Sequence, residues 1–244
     1  MTLPLYLVDP PALDGVGVGA ELTLDGDEGR HAATVRRTRA GERLLVADGV
    51  GRCARTVVEH VGAGRLGLRV EDVDSVTPPD PALVLVQALA KGGRDELAVE
   101  TATELGVDAV VPWQAARSVV VWSGERGERS RRKWELTART AAKQARRPLV
   151  PPVRPTARTG DLAAAGARLL VLHEGAELPL AQAPLPATGE LWIVVGPEGG
   201  IAPEELDELA GAGAVAVRLG PQVLRSSSAG AAALAVLSVR LGRW

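Results

Sequence analysis

Residues 190–209 read "ELWIVVGPEGGIAPEELDEL". The opening apolar run, rich in β-branched residues and closed by glycine, predicts a strand buried on both faces, as in a parallel sheet. Pro203 suits the first position of a helix, and Glu204 and Glu205 complement that helix's dipole. Between strand and helix, Gly196, Gly199 and Gly200 allow a tight turn. Such a turn usually cradles a phosphate at the helix N-terminus. Here Glu198 stands in its middle, where its charge repels a polyphosphate but tolerates hydroxyls, amines or a positive centre. S-adenosylmethionine, which has no phosphate and carries a sulfonium, is such a ligand.

The same alternation extends to both sides. "ALVLVQAL" (82–89) is a continuous apolar run, and "RDELAVETATELG" (94–106) places Leu97, Ala98, Ala102 and Leu105 on one helical face, with Gly106 as the stop. "AVVPW" (109–113), a basic helix "RSRRKWELTARTAAKQARR" (129–147) ended by Pro148, "RLLVLHEG" (168–175), "AVAVRLG" (214–220) and a closing helix from about Ser227 continue the pattern. Strands alternating with helices imply a parallel α/β sheet that binds ligands at the C-terminal ends of its strands. Three glycine-bearing loops fall at such ends: "LHEG" (172–175), "VGPEGG" (195–200) and "LGPQ" (219–222).

The N-terminal third reads differently. "LYLVD", "AELTLDG", "ERLLVADG", "CARTVVEHVG" and "RLGLRVEDV" are short alternating segments separated by turn residues, the pattern of a small β-barrel. "SVTPPDPA" (75–82) carries three prolines in eight residues, which disfavour both helix and central strand. The expected organisation is therefore a barrel over 1–74, a linker over 75–82 and an α/β domain over 83–244.

Composition sets outer bounds. At 244 residues the chain is long enough for one large or two small hydrophobic cores. Cys53 is the only cysteine, which excludes an intramolecular disulfide and a multi-thiolate metal site and fits a reducing, cytoplasmic setting. The N-terminal residues do not form a signal peptide, and no apolar run approaches the ~18 residues of a membrane span. The formal net charge of −2 conceals two basic clusters. Residues 30–43 hold five arginines against Glu42, and residues 125–147 hold nine basic residues against three acids. Each is either a solvated face or a track for RNA phosphates.

Other motifs point away from common alternatives. "GAGAVA" (211–216) matches a dinucleotide pattern but precedes its strand, so its glycines read as a helix stop. No P-loop and no H-E-x-x-H motif occurs in the sequence. The serines of "LRSSSAG" (224–230) lack the G-x-S-x-G elbow of a nucleophile, and capping of the following helix explains them.

In their order along the chain, "KGGRDELAVETATELGVDAVVPWQAARSVV", "AAKQARRPLVP", "VLHEG", "VVGPEGGIAPEEL" and "LGPQVLRSSSAGAAAL" resemble the ribosomal RNA small subunit methyltransferase E family of the SPOUT class. "GRHAATVRRTRAGERLLVADGVG" resembles that family's first domain. The resemblance implies an N-terminal PUA-like barrel that binds RNA and a C-terminal SPOUT α/β domain with a deep trefoil knot. It also implies a homodimer, and methyl transfer from S-adenosylmethionine to N3 of a uridine in 16S rRNA or the assembled small subunit, with no metal and no membrane.

Carried onto this chain, the cofactor loops are Leu172, His173 and Glu174; Gly196, Pro197, Glu198, Gly199 and Gly200; and Leu219, Gly220, Pro221, Val223 and Leu224. Arg225 is the candidate for orienting or stabilising the uracil. Glu198 is either a base or a contact for backbone amides and cofactor. Arg30, His31, Arg36, Arg37, Arg131, Arg132, Arg146 and Arg147 are expected to hold RNA phosphates. The chain departs from the family where Lys143 and Ser227 replace frequent acids and where Ala202 replaces a hydroxyl cap. The competing readings are a SPOUT enzyme for another rRNA or tRNA base, and a PUA-containing assembly factor without catalysis.

Overall fold

The computed structural model describes residues 2–244, which divide into two compact units. The first contains 2–78 together with Ala142–Val150, and the second contains Pro79–Ala141 and Pro151–Trp244. The sequence pattern assigns 142–150 to the α/β region. The structure groups it with the first unit instead, where Val150 packs beside Leu5, Leu7 and Ala47.

All five short segments of the first unit form strands: β1 (Leu5–Leu7), β2 (Glu21–Leu24), β3 (Arg43–Ala47), β4 (Arg52–Gly62) and β5 (Arg65–Ser75). They pair in the order β1-β3-β4-β5-β2, with β1 parallel to β3 and the remaining pairs antiparallel. Alternation puts Leu44, Val46, Ala54, Val58, Leu66, Leu68 and Val70 on one inner face with Tyr6 and Leu24. Between β2 and β3 the chain makes a short helix α1 (Gly26–Arg30) that runs into a π-helical turn (His31–Val35), which the strand pattern does not predict. Arg37 then adopts φ 55°, a left-handed conformation uncommon for a non-glycine residue.

The second unit holds the parallel sheet expected from the alternation. Its strands are β6 (Ala82–Ala88), β7 (Ala109–Trp113), β8 (Arg168–Leu172), β9 (Glu190–Val195) and β10 (Val215–Val217), in the order β10-β8-β9-β6-β7. Every pair is parallel. Because successive side chains alternate faces, Leu83, Leu85, Leu191, Ile193 and Val195 enter one core while Val84, Val86, Trp192 and Val194 enter the other. The first core is covered by α2 (Arg94–Glu104), α3 (Gly124–Gln144) and α6 (Ser226–Arg240), through Val99, Ala102, Trp134, Ala138, Ala233, Leu234 and Leu237. The second is covered by α4 (Thr159–Ala163) and α5 (Pro203–Gly211), through Leu162 and Leu209.

Glycine sets the closeness of one contact. A Cβ on Gly230 of α6 would lie 2.8 Å from Leu85 Cδ1 and 3.5 Å from Val195 Cγ2, so α6 rests directly on β6 and β9. Gly106 and Gly213, at φ 93° and 87°, follow α2 and α5 as left-handed stops. Among the described residues no helix is long and apolar enough to cross a membrane.

Candidate functional site

The C-terminal ends of β8 and β9 open onto a cavity of about 410 Å³, within the ordinary range for small-molecule sites. Leu172, His173 and Glu174 enter it from the end of β8. Gly196, Pro197, Glu198 and Gly200 enter it from the end of β9, and Val223, Leu224 and Arg225 come from the segment before α6. A smaller recess of about 80 Å³ shares Leu172, His173, Glu174, Val223 and Leu224 and adds Leu219 and Gly220. Gly199 and Pro221 line neither space. The sequence did not single out Arg94, Val195, Ile201, Ser226 and Ala229 for this cavity, nor Arg218 for the recess, whereas Gln222 of the "LGPQ" loop lines the recess.

The loop after β9 is shaped from within and from outside. Gly200 N–H donates to Pro197 O at 2.9 Å and adopts φ 73°, closing a four-residue turn with Glu198 at its second position. A Cβ on Gly196 would lie 2.6 Å from Ile201 Cγ1, so the loop folds back on itself only with glycine there. Arg117 Nη1 donates to Gly199 O at 3.1 Å. Buried Glu205, in the first turn of α5, accepts from Ala202 N–H at 3.2 Å, from Ala116 N–H at 2.9 Å and from Thr159 Oγ1 at 2.6 Å. The Glu205–Ala202 bond supplies a cap that the Ala202 side chain cannot, and Pro203 follows at the first helical position.

Glu198 is not an isolated anion. Arg94 Nη1, at the start of α2, donates to Glu198 Oε1 at 2.9 Å. Desolvation acts to raise the Glu198 carboxyl, but its own backbone N–H, Arg94 and Lys91 outweigh it and hold the group below the usual carboxylate range. The repulsion of phosphate inferred from Glu198 alone is therefore offset by Arg94. Sequence reasoning could not see this contact, because the two residues are separated by 104 positions and meet only through the β6–β9 pairing.

The serines differ from the capping expectation. Helix α6 begins at Ser226 with Arg225 at the cap position, and no side chain among the described residues caps it. Ser226 is 9% exposed, its Oγ has no partner among the described residues, and it lines the cavity. An unpaired buried hydroxyl facing a cavity is unfavourable unless a ligand satisfies it. The Arg225 side chain is exposed at the same cavity and makes no ion pair or hydrogen bond with the described residues. His173 Nδ1 accepts from Gly175 N–H at 3.1 Å, leaving Nε2 as its remaining ring nitrogen. This combination of apolar walls, an unfilled hydroxyl and paired opposite charges fits S-adenosylmethionine.

The basic clusters are partly neutralised within the protein. Arg131 bonds to Glu128, Glu135 and the Val153 carbonyl, and its side chain is 23% exposed. Its guanidinium is thus spent on holding α3, contrary to the expected phosphate contact. Lys133 pairs with Glu96 and Lys143 with Glu28, so the reversed charge at Lys143 has its own acid. Arg132 and Arg146 are exposed, as are His31, Arg36 and Arg37, while Arg30 pairs with Asp27 and Arg147 is half-buried.

A barrel-like unit followed by a parallel sheet with its cavity at the strand ends has close counterparts among known proteins. Residues 78–238 match the model of the RNA methyltransferase domain, and residues 24–71 match that of the RNA methyltransferase PUA domain. The ribosomal RNA small subunit methyltransferase E of Mycobacterium bovis is 52% identical over 233 residues, covering 93% of this chain and 89% of that protein. The chain belongs to the ribosomal RNA small subunit methyltransferase E family. The family member of Bacillus subtilis is 29% identical over 88% of this chain and 89% of its own. The Neisseria gonorrhoeae family member, crystallised with S-adenosylmethionine, superposes with a TM-score of 0.86 at 25% identity over 98% of both chains. A Legionella pneumophila methyltransferase in complex with the same cofactor gives 0.85 at 26% identity, again over 98% of both. The fold of this member is accordingly a PUA-like unit followed by a SPOUT α/β unit.

Proposed function

We propose that the protein transfers a methyl group from S-adenosylmethionine to N3 of a uridine in 16S rRNA of the small ribosomal subunit. The observation that carries this reading is the cavity at the ends of β8 and β9, where three separate loops converge on one space in a member of this family. Leu172, His173 and Glu174, the 196–200 loop, and Leu219, Gly220, Pro221, Val223 and Leu224 are assigned to holding the cofactor. Ser226 offers it a hydrogen bond.

The bound cofactor supplies an electrophilic methyl group on a sulfonium. What remains for the protein is to align the uracil ring and to favour loss of its N3 proton. Arg225 is suited to both, since an uncommitted guanidinium at the cavity stabilises the imide anion as the proton passes to solvent. Glu198 is poorly suited to remove the proton, because a carboxylate held below its ordinary range is a weak base near neutrality. Its role is binding.

N3 is occupied in a Watson–Crick pair, so the target nucleotide is unpaired or displaced when it reaches the cavity. The PUA-like unit, with Arg30, His31, Arg36 and Arg37, is assigned to RNA backbone, as are Arg132, Arg146 and Arg147. The protein is further proposed to act as a cytoplasmic homodimer, with a barrel domain at 1–74, a linker at 75–82 and a methyltransferase domain at 83–244 other than 142–150. Mass spectrometry of rRNA from a strain lacking the gene and from the complemented strain tests the substrate assignment. One 3-methyluridine in 16S rRNA is expected to disappear and return. A missing methyl on a different base or on tRNA contradicts the assignment.

A further inference from the structure

The Arg94–Glu198 pair is in excess of what the local fold requires. The 196–200 loop is already closed by the Gly200–Pro197 bond and tied from outside by Arg117. The first turn of α2 is closed by Leu97 N–H to Gly93 O at 3.0 Å. A half-exposed ion pair added to these elements contributes little to stability. Both side chains nonetheless line the cavity, with 47% of Arg94 and 33% of Glu198 still exposed. Arg94 commits only Nη1, one of the nitrogens of a guanidinium that carries five donors.

A fixed cation and a fixed anion 2.9 Å apart are complementary to one kind of ligand group: a zwitterion whose own charges are separated by a single carbon. A lone phosphate would gain from Arg94 and lose to Glu198, and a lone amine would do the reverse. An α-amino acid satisfies both at once. Lys91, whose charge also reaches Glu198, keeps the local balance on the positive side and favours the carboxylate end.

We propose that Arg94 and Glu198 form the subsite for the amino-acid end of S-adenosylmethionine, Arg94 pairing with its α-carboxylate and Glu198 with its α-ammonium. This rests on the cofactor reading above. It assigns a specificity role to Arg94, and it gives Glu198 a binding partner other than the sulfonium that its sequence position first pointed to.

Calorimetric titration of the full chain, wild type and Arg94→Ala, tests this with three ligands: S-adenosylmethionine, its decarboxylated form and methylthioadenosine, which lacks the amino acid. Wild type is expected to bind S-adenosylmethionine roughly tenfold or more tighter than the decarboxylated form. Arg94→Ala is expected to bring those two to within about twofold while leaving methylthioadenosine unchanged, and Arg94→Lys to restore part of the preference. Equal weakening of all three ligands by Arg94→Ala overturns the proposal, as does a wild type that does not distinguish the carboxylate. If Arg94→Ala fails to fold, the wild-type ligand series alone decides. Wild-type protein that binds none of the three removes the cofactor reading itself, whereas binding without carboxylate preference removes only this subsite.

Discussion

Glu205 and Ala116 are joined by a hydrogen bond of 2.9 Å across 89 residues of chain. Through it the first turn of α5 fixes the backbone next to Arg117, which in turn holds the Gly199 carbonyl of the cavity loop. Glu205→Ala strands the Ala116 and Ala202 N–H groups and the Thr159 hydroxyl together. The expected cost is about 3 kcal/mol of stability, read by urea denaturation, with weaker binding of S-adenosylmethionine. A change below about 0.5 kcal/mol would show that these donors find other partners.

Ser226 is expected to behave in the opposite sense. Its Oγ has no partner among the described residues, so Ser226→Ala removes a buried polar atom without breaking a bond. The melting temperature should hold or rise, while S-adenosylmethionine affinity falls by about 5- to 10-fold for one missing hydrogen bond. A variant that loses stability and keeps full affinity contradicts a ligand-facing hydroxyl.

Glu190, at the start of β9, pairs with both terminal nitrogens of Arg154 and accepts from Trp192 Nε1 at 2.8 Å. The Arg154 hydrogen bond outweighs desolvation, and with Trp192 it holds this carboxyl below its ordinary value of 4.5. A carboxyl depressed on folding stabilises the native state above its unfolded value, and that stability is lost as pH falls through the folded one. Wild type should therefore lose stability on acidification below about 4.5, and Arg154→Ala should flatten that segment of the stability–pH curve. Parallel curves for the two proteins would remove the contribution.

The RNA assignment separates free from committed arginines. Arg36→Ala with Arg37→Ala, or Arg132→Ala alone, should weaken binding to 16S rRNA and reduce its salt slope by about one for each phosphate no longer neutralised. Arg131→Ala should act chiefly on stability, because Glu128, Glu135 and Val153 already use its guanidinium. Filter binding across a potassium chloride series measures both. An unchanged slope in Arg36→Ala with Arg37→Ala sinks the role assigned to the PUA-like unit.

The strands were legible because their alternation or continuous apolar character is a local signal, and all ten occur where it lies. The three glycine loops were legible for the same reason, since strand-end turns announce themselves by residue type. Arg94, Arg117 and Glu205 were not, because each acts on a partner more than eighty positions away that only the fold brings near. The serines at the start of α6 misled because three adjacent hydroxyls look like a cap, whereas the helix already begins at Ser226 and Arg225 takes the cap position. The nine basic residues of 125–147 likewise carried no sign of which were already paired with acids from other elements.

Methyl transfer to uridine N3 within small-subunit RNA is checked by supplying purified protein with isotopically labelled S-adenosylmethionine and either naked 16S rRNA or intact small subunits, followed by nucleoside mass spectrometry. The expected result is label in 3-methyluridine at a single site, abolished when that uridine is changed to cytidine. Label in any other nucleoside, or none on either substrate from protein that binds the cofactor, would contradict uridine N3 as the acceptor.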